Sequence, residues 1–305
     1  AAVTVTVPAA PKGNNQLAAR CSDPGGNESS IKAISYWLDT DAPTVGAEGS
    51  RVIIDGNNGA TNSRFVELQI VAVDNGGGSG VDTMAIANGA LDCGTAQYEP
   101  LRSEMSWVIG EGDGSKTVAV CFRDKAGNVA QATDDITLDT TPPTGGMTIS
   151  GGLFSKSKTL SISVTRTNTD AKKYALAEGF LDCDAPTTTY LNYTAVAQPL
   201  VLSGDGEFDV SLCLADNAGN TTKYVERVRV DLVAPTGFMV VNGGANYASS
   251  DEVVINVTAS ADVTDMKLSN GAINCANDAG YVAVDLAATH QLSAGDGDKT
   301  IRACI

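Results

Sequence analysis

The sequence predicts an all-β protein made of tandem β-sandwich domains in an elongated array. Stretches such as Leu160–Thr165 and Asp134–Leu138 alternate apolar and polar residues, as half-buried antiparallel strands do. One phrase, KTVAVCFRDKAGN at Lys116–Asn128, returns as FDVSLCLADNAGN at Phe208–Asn220. Glycine and Asx clusters separate the strand-like runs, and roughly seven short strands in a repeat of about 92 residues are typical of a β-sandwich.

The same phrase sets the order of elements within each repeat. A Gly-Asp-Gly turn precedes the cysteine-bearing strand at 112–114, 204–206 and 295–297. An Asp-x-Ala-Gly-Asn turn follows that strand at 124–128 and 216–220, where Gly127 and Gly219 permit a positive φ between the last two strands. Each repeat then closes on an Asp-to-Pro-Thr segment, at 39–44, 139–144 and 231–236. The predicted repeats are 1–44 (the C-terminal part of one), 45–144 and 145–236 (two complete ones) and 237–305 (one that lacks its last strand).

Taken together, these motifs resemble the tandem bacterial immunoglobulin-like repeats of large secreted and cell-surface proteins. The resemblance covers almost the whole chain and implies immunoglobulin-like β-sandwich domains. One feature departs from it: those repeats mostly lack a cysteine pair, whereas each complete unit here carries one. The first cysteine follows the third counted strand, so the bridge is not placed as in an antibody domain.

Cysteine spacing predicts one disulfide inside each repeat. The first cysteine of a pair recurs at 93, 183 and 275 and the second at 121, 213 and 304, always about 29 residues apart. The predicted bridges are Cys93–Cys121, Cys183–Cys213 and Cys275–Cys304, with buried free thiols as the alternative. Cys21 is expected to be unpaired within this chain, because the matching partner position falls before Ala1. Zinc is not expected, since His290 is the only histidine.

Composition argues against several classes of function. The formal net charge is −16 with only 20 Lys and Arg, so neither nucleic acid nor an anionic membrane is an expected partner. Apolar runs are too short for membrane insertion. No catalytic constellation is found around His290, and Gly-Asp-Gly precedes a strand and not a helix N-terminus. We therefore expect no catalytic residue and no enzyme activity.

No organic cofactor is expected, and calcium is the one metal ion that the sequence suggests. Aspartates recur where one repeat meets the next, and Ca²⁺ binds where several carboxylate and carbonyl oxygens converge. The candidate ligands are Asp39, Asp41, Asp139 and Asp231, preferred over the aspartates of the Gly-Asp-Gly turns. None of these joins has the dense Asp and Asn set of an EF-hand loop.

The function that these observations favour is structural. Disulfides persist in oxidising compartments, which predicts an extracellular, cell-surface or periplasmic protein. We expect a stalk, or a segment of a secreted surface fibre or adhesin, whose partners are neighbouring copies or further repeats of the same protein. Two alternatives are a self-assembling filament subunit with strand complementation between chains, and a module that binds a surface glycan or protein through loops at the sandwich ends.

Overall fold

The computed structural model describes residues 11–305, so the start of the first predicted repeat lies outside the described residues. These residues fall into two compact units. The first contains the described residues through Ser150 together with Ser161–Leu200 and Asp209–Glu226, and the second contains Gly151–Leu160, Val201–Phe208 and Arg227–Ile305.

The predicted fold class is confirmed: the structure is an all-β series of β-sandwiches. Its helical elements, within residues 11–305, are two 3₁₀ turns at Asp55–Asn57 and Asn242–Gly244. Nowhere in that range is there a helix with both the length and the hydropathy of a membrane span.

The second repeat (45–144) forms a sandwich of a three-stranded and a five-stranded sheet. The strand orders are β3-β5-β8 and β4-β10-β9-β6-β7. Neighbouring strands are antiparallel except β4, which pairs in parallel with the end of β10. The strands are β3 (Arg51–Ile54), β4 (Ala60–Thr61), β5 (Phe65–Val71), β6 (Val81–Asn88), β7 (Glu99–Pro100), β8 (Glu104–Val108), β9 (Gly114–Asp124) and β10 (Val129–Leu138).

The third repeat (145–236) has the same strand orders, β11-β13-β16 and β12-β18-β17-β14-β15. Its short strand β12 again pairs in parallel with the end of the last strand. The strands are β11 (Gly145–Ile149), β12 (Phe154–Ser155), β13 (Thr159–Arg166), β14 (Lys173–Glu178), β15 (Leu191–Asn192), β16 (Gln198–Val201), β17 (Gly206–Ala215) and β18 (Thr221–Val230).

The fourth repeat (237–305) has two three-stranded sheets, β19-β20-β23 and β22-β21-β24, and the first repeat (1–44) contributes the hairpin β1-β2. The second sheet of the fourth repeat thus has no counterparts of β12 and β18 among the described residues. The strands are β1 (Gly13–Ala19), β2 (Lys32–Leu38), β19 (Gly237–Val241), β20 (Glu252–Ala259), β21 (Asp265–Ser269), β22 (Val282–Ala283), β23 (Ala287–Gln291) and β24 (Arg302–Cys304).

The Asp-x-Ala-Gly-Asn motif is the turn between the last two strands, as the sequence predicts. The Asp124 amide donates to the Asn128 carbonyl over 3.1 Å, and the Asp124 carboxylate accepts both the amide and the side-chain NH₂ of Asn128 over 2.9 Å. Gly127 and Gly219 both have φ of 96°, a conformation that a residue with a Cβ adopts only with strain. The turn therefore depends on its aspartate, glycine and asparagine.

The second, third and fourth repeats each have their own small and mainly aliphatic core. In the second repeat, inward residues of both sheets, among them Leu68, Ile109, Phe122 and Ile136, form one buried cluster. The cluster in the fourth repeat is centred on Val253 and Ile255. Burying apolar area stabilises a domain by about 25 cal/mol per Å², so cores with few aromatic residues contribute modestly. Such repeats depend on additional constraints.

Two glycines that open repeats are required by close packing. Gly145 is the first residue of β11 and Gly237 the first residue of β19. A Cβ at Gly145 would lie 2.2 Å from the Thr165 carbonyl oxygen, and one at Gly237 would lie 2.7 Å from that of Thr258. The glycine after the second and third Pro-Thr pairs therefore allows the first strand to approach its neighbour directly after the linker.

The three disulfides predicted from cysteine spacing are present. They join Cys93 to Cys121, Cys183 to Cys213 and Cys275 to Cys304, with Cα atoms 5.6, 5.5 and 5.4 Å apart. In the second repeat the bridge links the segment after β6 to β9, and in the third repeat it links the segment after β14 to β17. The two linked elements belong to the same sheet, because β6 pairs with β9 and β14 pairs with β17. Cys21 is an exposed free thiol.

A tyrosine hydroxyl supports every disulfide. Tyr98 Oη donates to the Cys93 carbonyl over 3.0 Å, Tyr190 Oη to the Cys183 carbonyl over 2.9 Å and Tyr281 Oη to the Cys275 carbonyl over 2.8 Å. Burial raises the pKa of Tyr98 and of Tyr190. The neutral phenol is therefore retained as a donor, and it fixes the irregular backbone that carries the first cysteine of each pair.

Removing one disulfide should destabilise its repeat selectively. We expect Cys183→Ser/Cys213→Ser to lower the free energy of unfolding of the third repeat by about 3–4 kcal/mol, since a loop of this length is no longer closed in the unfolded chain. Urea unfolding followed by hydrogen exchange and mass spectrometry measures the effect repeat by repeat. Cys21→Ser is the matched control and should change nothing. Equal stability of the double variant and the parent would contradict a structural role for the bridge.

Candidate functional site

The linkers between repeats are bound by hydrogen bonds from polar side chains. We use the term join for each linker segment, residues 39–44, 139–144 and 231–236, together with the side chains that bind it. The first two joins lie in the first compact unit and the third lies in the second unit.

The preceding repeat holds the outgoing linker with the aspartate of its Gly-Asp-Gly turn. Asp113 accepts the amide of Thr140 over 3.0 Å and its hydroxyl over 2.8 Å, and also accepts the hydroxyl of Thr141 over 3.0 Å. These bonds, chiefly those from Thr140, hold the pKa of Asp113 below its usual value. In the third repeat, Asp205 accepts the Leu232 amide over 2.7 Å in the same way. This aspartate thus ties the turn to the exit of its own repeat.

The following repeat binds the same linker with the asparagine of its Asp-x-Ala-Gly-Asn turn. The Asn220 side chain donates to the Asp139 carbonyl over 2.8 Å, and the Asn128 side chain donates to the Asp39 carbonyl over 3.2 Å. Each asparagine also donates to its turn aspartate, Asp216 or Asp124. The repeated Asp-x-Ala-Gly-Asn turn therefore also binds the linker that precedes its repeat.

Two further contacts fix the second join. The hydroxyl of Thr222 donates to the Pro143 carbonyl over 2.6 Å. The Gly145 amide donates to the hydroxyl of Tyr224 over 2.9 Å. Because proline also restricts φ, most of this linker is bound or conformationally limited.

The first join places three carboxylates together. Single oxygens of Asp39, Asp74 and Asp124 lie within 4.8 Å of one another, and Asp39 and Asp124 are buried. The Ser79 amide donates to Asp39 over 2.7 Å and is the main reason that the pKa of Asp39 lies below its usual value. The Gly80 amide donates to Asp74 over 2.6 Å. The loop after β5 therefore orients two of the three acids.

The second join repeats the arrangement with Asp139, Asp170 and Asp216, whose carboxylate oxygens again lie within 4.8 Å of one another. Asp216 is buried and the other two are half-buried. Burial, followed by the negative charges of Asp139 and Asp216, raises the pKa of Asp170, while Lys172 acts in the opposite direction. Asp170 is thus held in surroundings that oppose its ionised form.

These clusters have the oxygen chemistry that suits Ca²⁺, which takes six to eight oxygen ligands. Three carboxylates can supply half or more of them, and a divalent cation would offset their mutual repulsion. Of the four predicted ligands, Asp39 and Asp139 belong to the clusters. Asp41 does not, since it pairs with Lys12, and Asp231 accepts the Val233 amide over 3.1 Å outside either cluster.

Sequence reasoning did not identify Asp74 and Asp170, and it treated Asp124 and Asp216 only as turn residues. The sequence does contain a signal for these residues. An aspartate stands three or four residues after the middle strand of the three-stranded sheet in each sandwich: Asp74 after β5, Asp170 after β13 and Asp262 after β20. An acid that recurs at the same loop position in three repeats indicates a candidate ligand position.

Three further features concern the histidine, a groove beside a join and the tryptophans. His290, in β23, is hydrogen-bonded through Nε2 to Asn270 Oδ1 over 2.9 Å. A polar groove of about 770 Å³ beside the second join is lined by residues that include Asp139, Asp170 and Lys172. Trp107 packs against the core of the second repeat and donates to Asn88, whereas Trp37 is half exposed.

No protein-family model matches the chain, and no curated protein matches it. Fibronectin(III)-like modules of Clostridium thermocellum CbhA are similar in structure, with a TM-score of 0.38 and 8 % identity over 59 % of this chain and 93 % of theirs. The tetra-tandem repeat in the extending region of a large adhesion protein gives a TM-score of 0.28 and 14 % identity over 96 % and 72 %.

A 1.5-MDa bacterial ice-binding adhesin is also similar, with a TM-score of 0.28 and 19 % identity over 73 % of this chain and 76 % of that structure. The structural neighbours are thus fibronectin-III-like modules and adhesin repeats.

Loss of the Asp113 carboxylate should free the second linker in a pH-dependent manner. We expect Asp113→Asn to speed hydrogen exchange in peptides covering residues 137–144 at neutral pH. Since the folded-state pKa of Asp113 lies below its usual 3.8, its contribution is present above that value and is lost as the pH falls through the folded-state pKa. The difference between parent and variant should therefore disappear in acid.

Asp296→Asn is the matched control for this measurement. Asp296 occupies the Gly-Asp-Gly turn of the fourth repeat and, within the described chain, binds no linker. Its substitution should leave exchange at residues 137–144 unchanged. A difference for Asp113→Asn that stays constant across the acid range would show that the carboxylate charge is not what holds the linker.

Proposed function

We propose that this chain is a structural segment of an extracellular, adhesin-type repeat protein, in which stiffly joined sandwiches act as a spacer. The single observation that supports it is the repeated join. The preceding repeat holds the linker where Asp113 or Asp205 accepts the amide of Thr140 or Leu232. The following repeat holds it where Asn128 or Asn220 donates to the carbonyl of the linker aspartate. A spacer needs similar geometry at its joins, and each of these two contacts recurs at two of the three joins.

The disulfides support the outside of the cell as the location. Three bridges within about 210 residues, each with a supporting tyrosine, form and persist in oxidising surroundings. An acidic surface, with a net charge of −16, keeps such a protein soluble and separate from anionic membranes. Both features suit a secreted or surface-exposed segment, and that is the location we propose.

Small-angle X-ray scattering tests the spacer role directly. A compact chain of this length would have a radius of gyration of about 19 Å. We expect a value well above it for the parent chain. We expect a smaller value for Asn128→Ala/Asn220→Ala, because linkers that lack the bond from the following repeat allow neighbouring sandwiches to fold back.

The matched control replaces two asparagines that lie outside the joins, Asn192→Ala/Asn256→Ala, and it should scatter like the parent. A parent radius near 19 Å would contradict a spacer. A large radius that the join variant leaves unchanged would contradict the part assigned to the asparagine contacts.

We further propose that the carboxylate clusters of the first two joins bind Ca²⁺. The specific support is the placement of three acids, two of them buried at the first join, within one ligand-sized space at both joins. Ion binding would make joint stiffness depend on external calcium, which is abundant outside cells and scarce inside them. The candidates Asp41 and Asp231 are not included in this proposal.

Calorimetric titration with CaCl₂ after chelator treatment should detect two sites. We expect Asp124→Asn to remove the first site and Asp216→Asn the second, while Asp41→Asn, the control within the first join, leaves both. Saturation at a hundred times the dissociation constant should stabilise the joins by about 2.7 kcal/mol. The second site should weaken first on acidification, because the pKa of Asp170 is raised. Absence of heat, or heat retained in both cluster variants, would contradict the proposal.

The absence of enzyme activity and the alternative of a loop-based glycan or protein receptor remain predictions from the sequence. Exposed aromatic side chains such as Phe65, Phe180 and Tyr247 are present. They belong to different repeats, however, and no contact in the described residues assembles them into a binding surface. We therefore do not propose a receptor function.

A further inference from the structure

The loop between β5 and β6 binds the linker of the first join. We use the term clasp for residues 74–80 of this loop, which have the sequence DNGGGSG. The Ser79 amide donates to the Asp39 carboxylate over 2.7 Å, and the Asn75 side chain donates to the Asp41 carbonyl over 3.3 Å. The clasp therefore holds the linker at two points, once with its backbone and once with a side chain.

The clasp also binds the turn that receives this linker. The Lys125 amide donates to the Gly80 carbonyl over 3.1 Å, and the Ala126 amide donates to the Ser79 hydroxyl over 3.2 Å. Both donors belong to the Asp-x-Ala-Gly-Asn turn, whose asparagine binds the carbonyl of the linker aspartate. The clasp thus connects the linker to the turn, and it does so entirely through hydrogen bonds.

Among the described residues, the second join has no counterpart of these bonds. The two turn amides that bind the clasp have their equivalents in Asn217 and Ala218, which line the polar groove of about 770 Å³ beside this join. The Asp139 carboxylate accepts the Thr141 amide of its own linker over 3.1 Å, and none of the amides of residues 168–171 donates to it. A groove is therefore present where the clasp lies at the first join.

Strand residues hold the second linker instead. The hydroxyl groups of Thr222 and Tyr224, both on β18, bind the backbone at and directly after the end of this linker. Their equivalents on β10 are Ala130 and Ala132, which have no hydroxyl group. Residues of a paired strand leave their positions only when the sheet opens, whereas a loop opens locally at a much lower free energy. The two joins therefore differ in what must open before the linker is released.

The composition of the clasp indicates that it opens locally. It has four glycines and no apolar side chain, and none of its residues belongs to the core of the second repeat, so its release exposes no apolar side chain to water. Gly76 and Gly77 are exposed, and Gly77 and Gly80 have φ of 90° and 88°. Glycine adopts such backbone angles without strain and moves readily between them and others.

We propose that the clasp is releasable, so that the first join changes between a fixed and a loosened state while the repeats on either side remain folded. The inference rests on the proposed spacer function and deepens it, because a loop would set the stiffness of the first join and a strand that of the second. In the loosened state the linker keeps the bond from Asn128 and loses those from Ser79 and Asn75. Bending should therefore be greater at the first join than at the second.

Pulsed electron paramagnetic resonance on the full chain tests this proposal. One spin label is attached to the free thiol of Cys21 and the other to Ser106→Cys, an exposed position on β8. We expect Asn75→Ala/Ser79→Ala to widen the distribution of distances between the labels, because the linker and the turn each lose a bond to the clasp. Hydrogen exchange in residues 74–80 should also become at least about tenfold faster.

Asn168→Ala/Thr169→Ala, in the corresponding loop of the third repeat, is the matched control and should leave the label distances unchanged. Thr222→Ala/Tyr224→Phe should speed exchange at residues 139–144 and also leave the label distances unchanged. An unchanged distance distribution in the clasp variant, or equal widening in either of the other two variants, would overturn the proposal. Loss of exchange protection in β9 of the clasp variant would also overturn it, since the repeat and not the loop would then have opened.

The spacer function is tested separately, by the scattering of the parent chain. A parent radius of gyration near about 19 Å would contradict the spacer, whatever the label distances show. An extended parent whose label distances do not respond to the clasp variant would contradict the releasable clasp alone. The two failures are therefore distinguishable.

Discussion

The linker aspartate is the residue on which the structure of the first unit depends most. The Asp139 amide donates to the Thr61 carbonyl of the preceding repeat, and its carbonyl accepts the side chain of Asn220 from the following one. Its carboxylate stands beside Asp170 and Asp216. One residue is therefore bound by both neighbours through three different groups, and a change in the orientation of either repeat would break at least one contact. The linker is thus a structural element of both repeats, because little of it is left free to rotate.

The interior of the repeats also relies on a small number of stabilising interactions. Small aliphatic cores leave a low margin of stability, and each disulfide adds a constraint without occupying core volume. Cys121 alternates along β9 with Val120 and Phe122, so its side chain points to the sheet face opposite the core. The Tyr98 hydroxyl then holds the backbone of Cys93 at that outer face. Packing inside the sandwich and cross-linking outside it therefore use opposite faces of the same sheet.

Much of the fold could be predicted from the sequence, because strands and turns are local patterns. Alternation located β13 and the last strands, matched spacing located the disulfides, and Gly127 located its turn. The joins could not be worked out in the same way. Asp113 binds Thr140, which is far along the chain, and Asp74 meets Asp39 only through the twist that brings one loop beside the linker. Contacts between loop ends depend on how a sandwich closes, and neither periodicity nor composition contains that information.

The position of the linker also explains why strand and join belong together. β10 ends at Leu138 and β18 ends at Val230, and in both repeats the next residue is the join aspartate. The last strand of a sandwich therefore contributes buried core residues, such as Ile136 and Leu138, and is followed directly by the residue that begins the join. Completing the core of one sandwich and beginning the next join are thus one event, because the backbone bonds that fix the end of the strand include those of Asp139 and Asp231 and so also set the start of the linker.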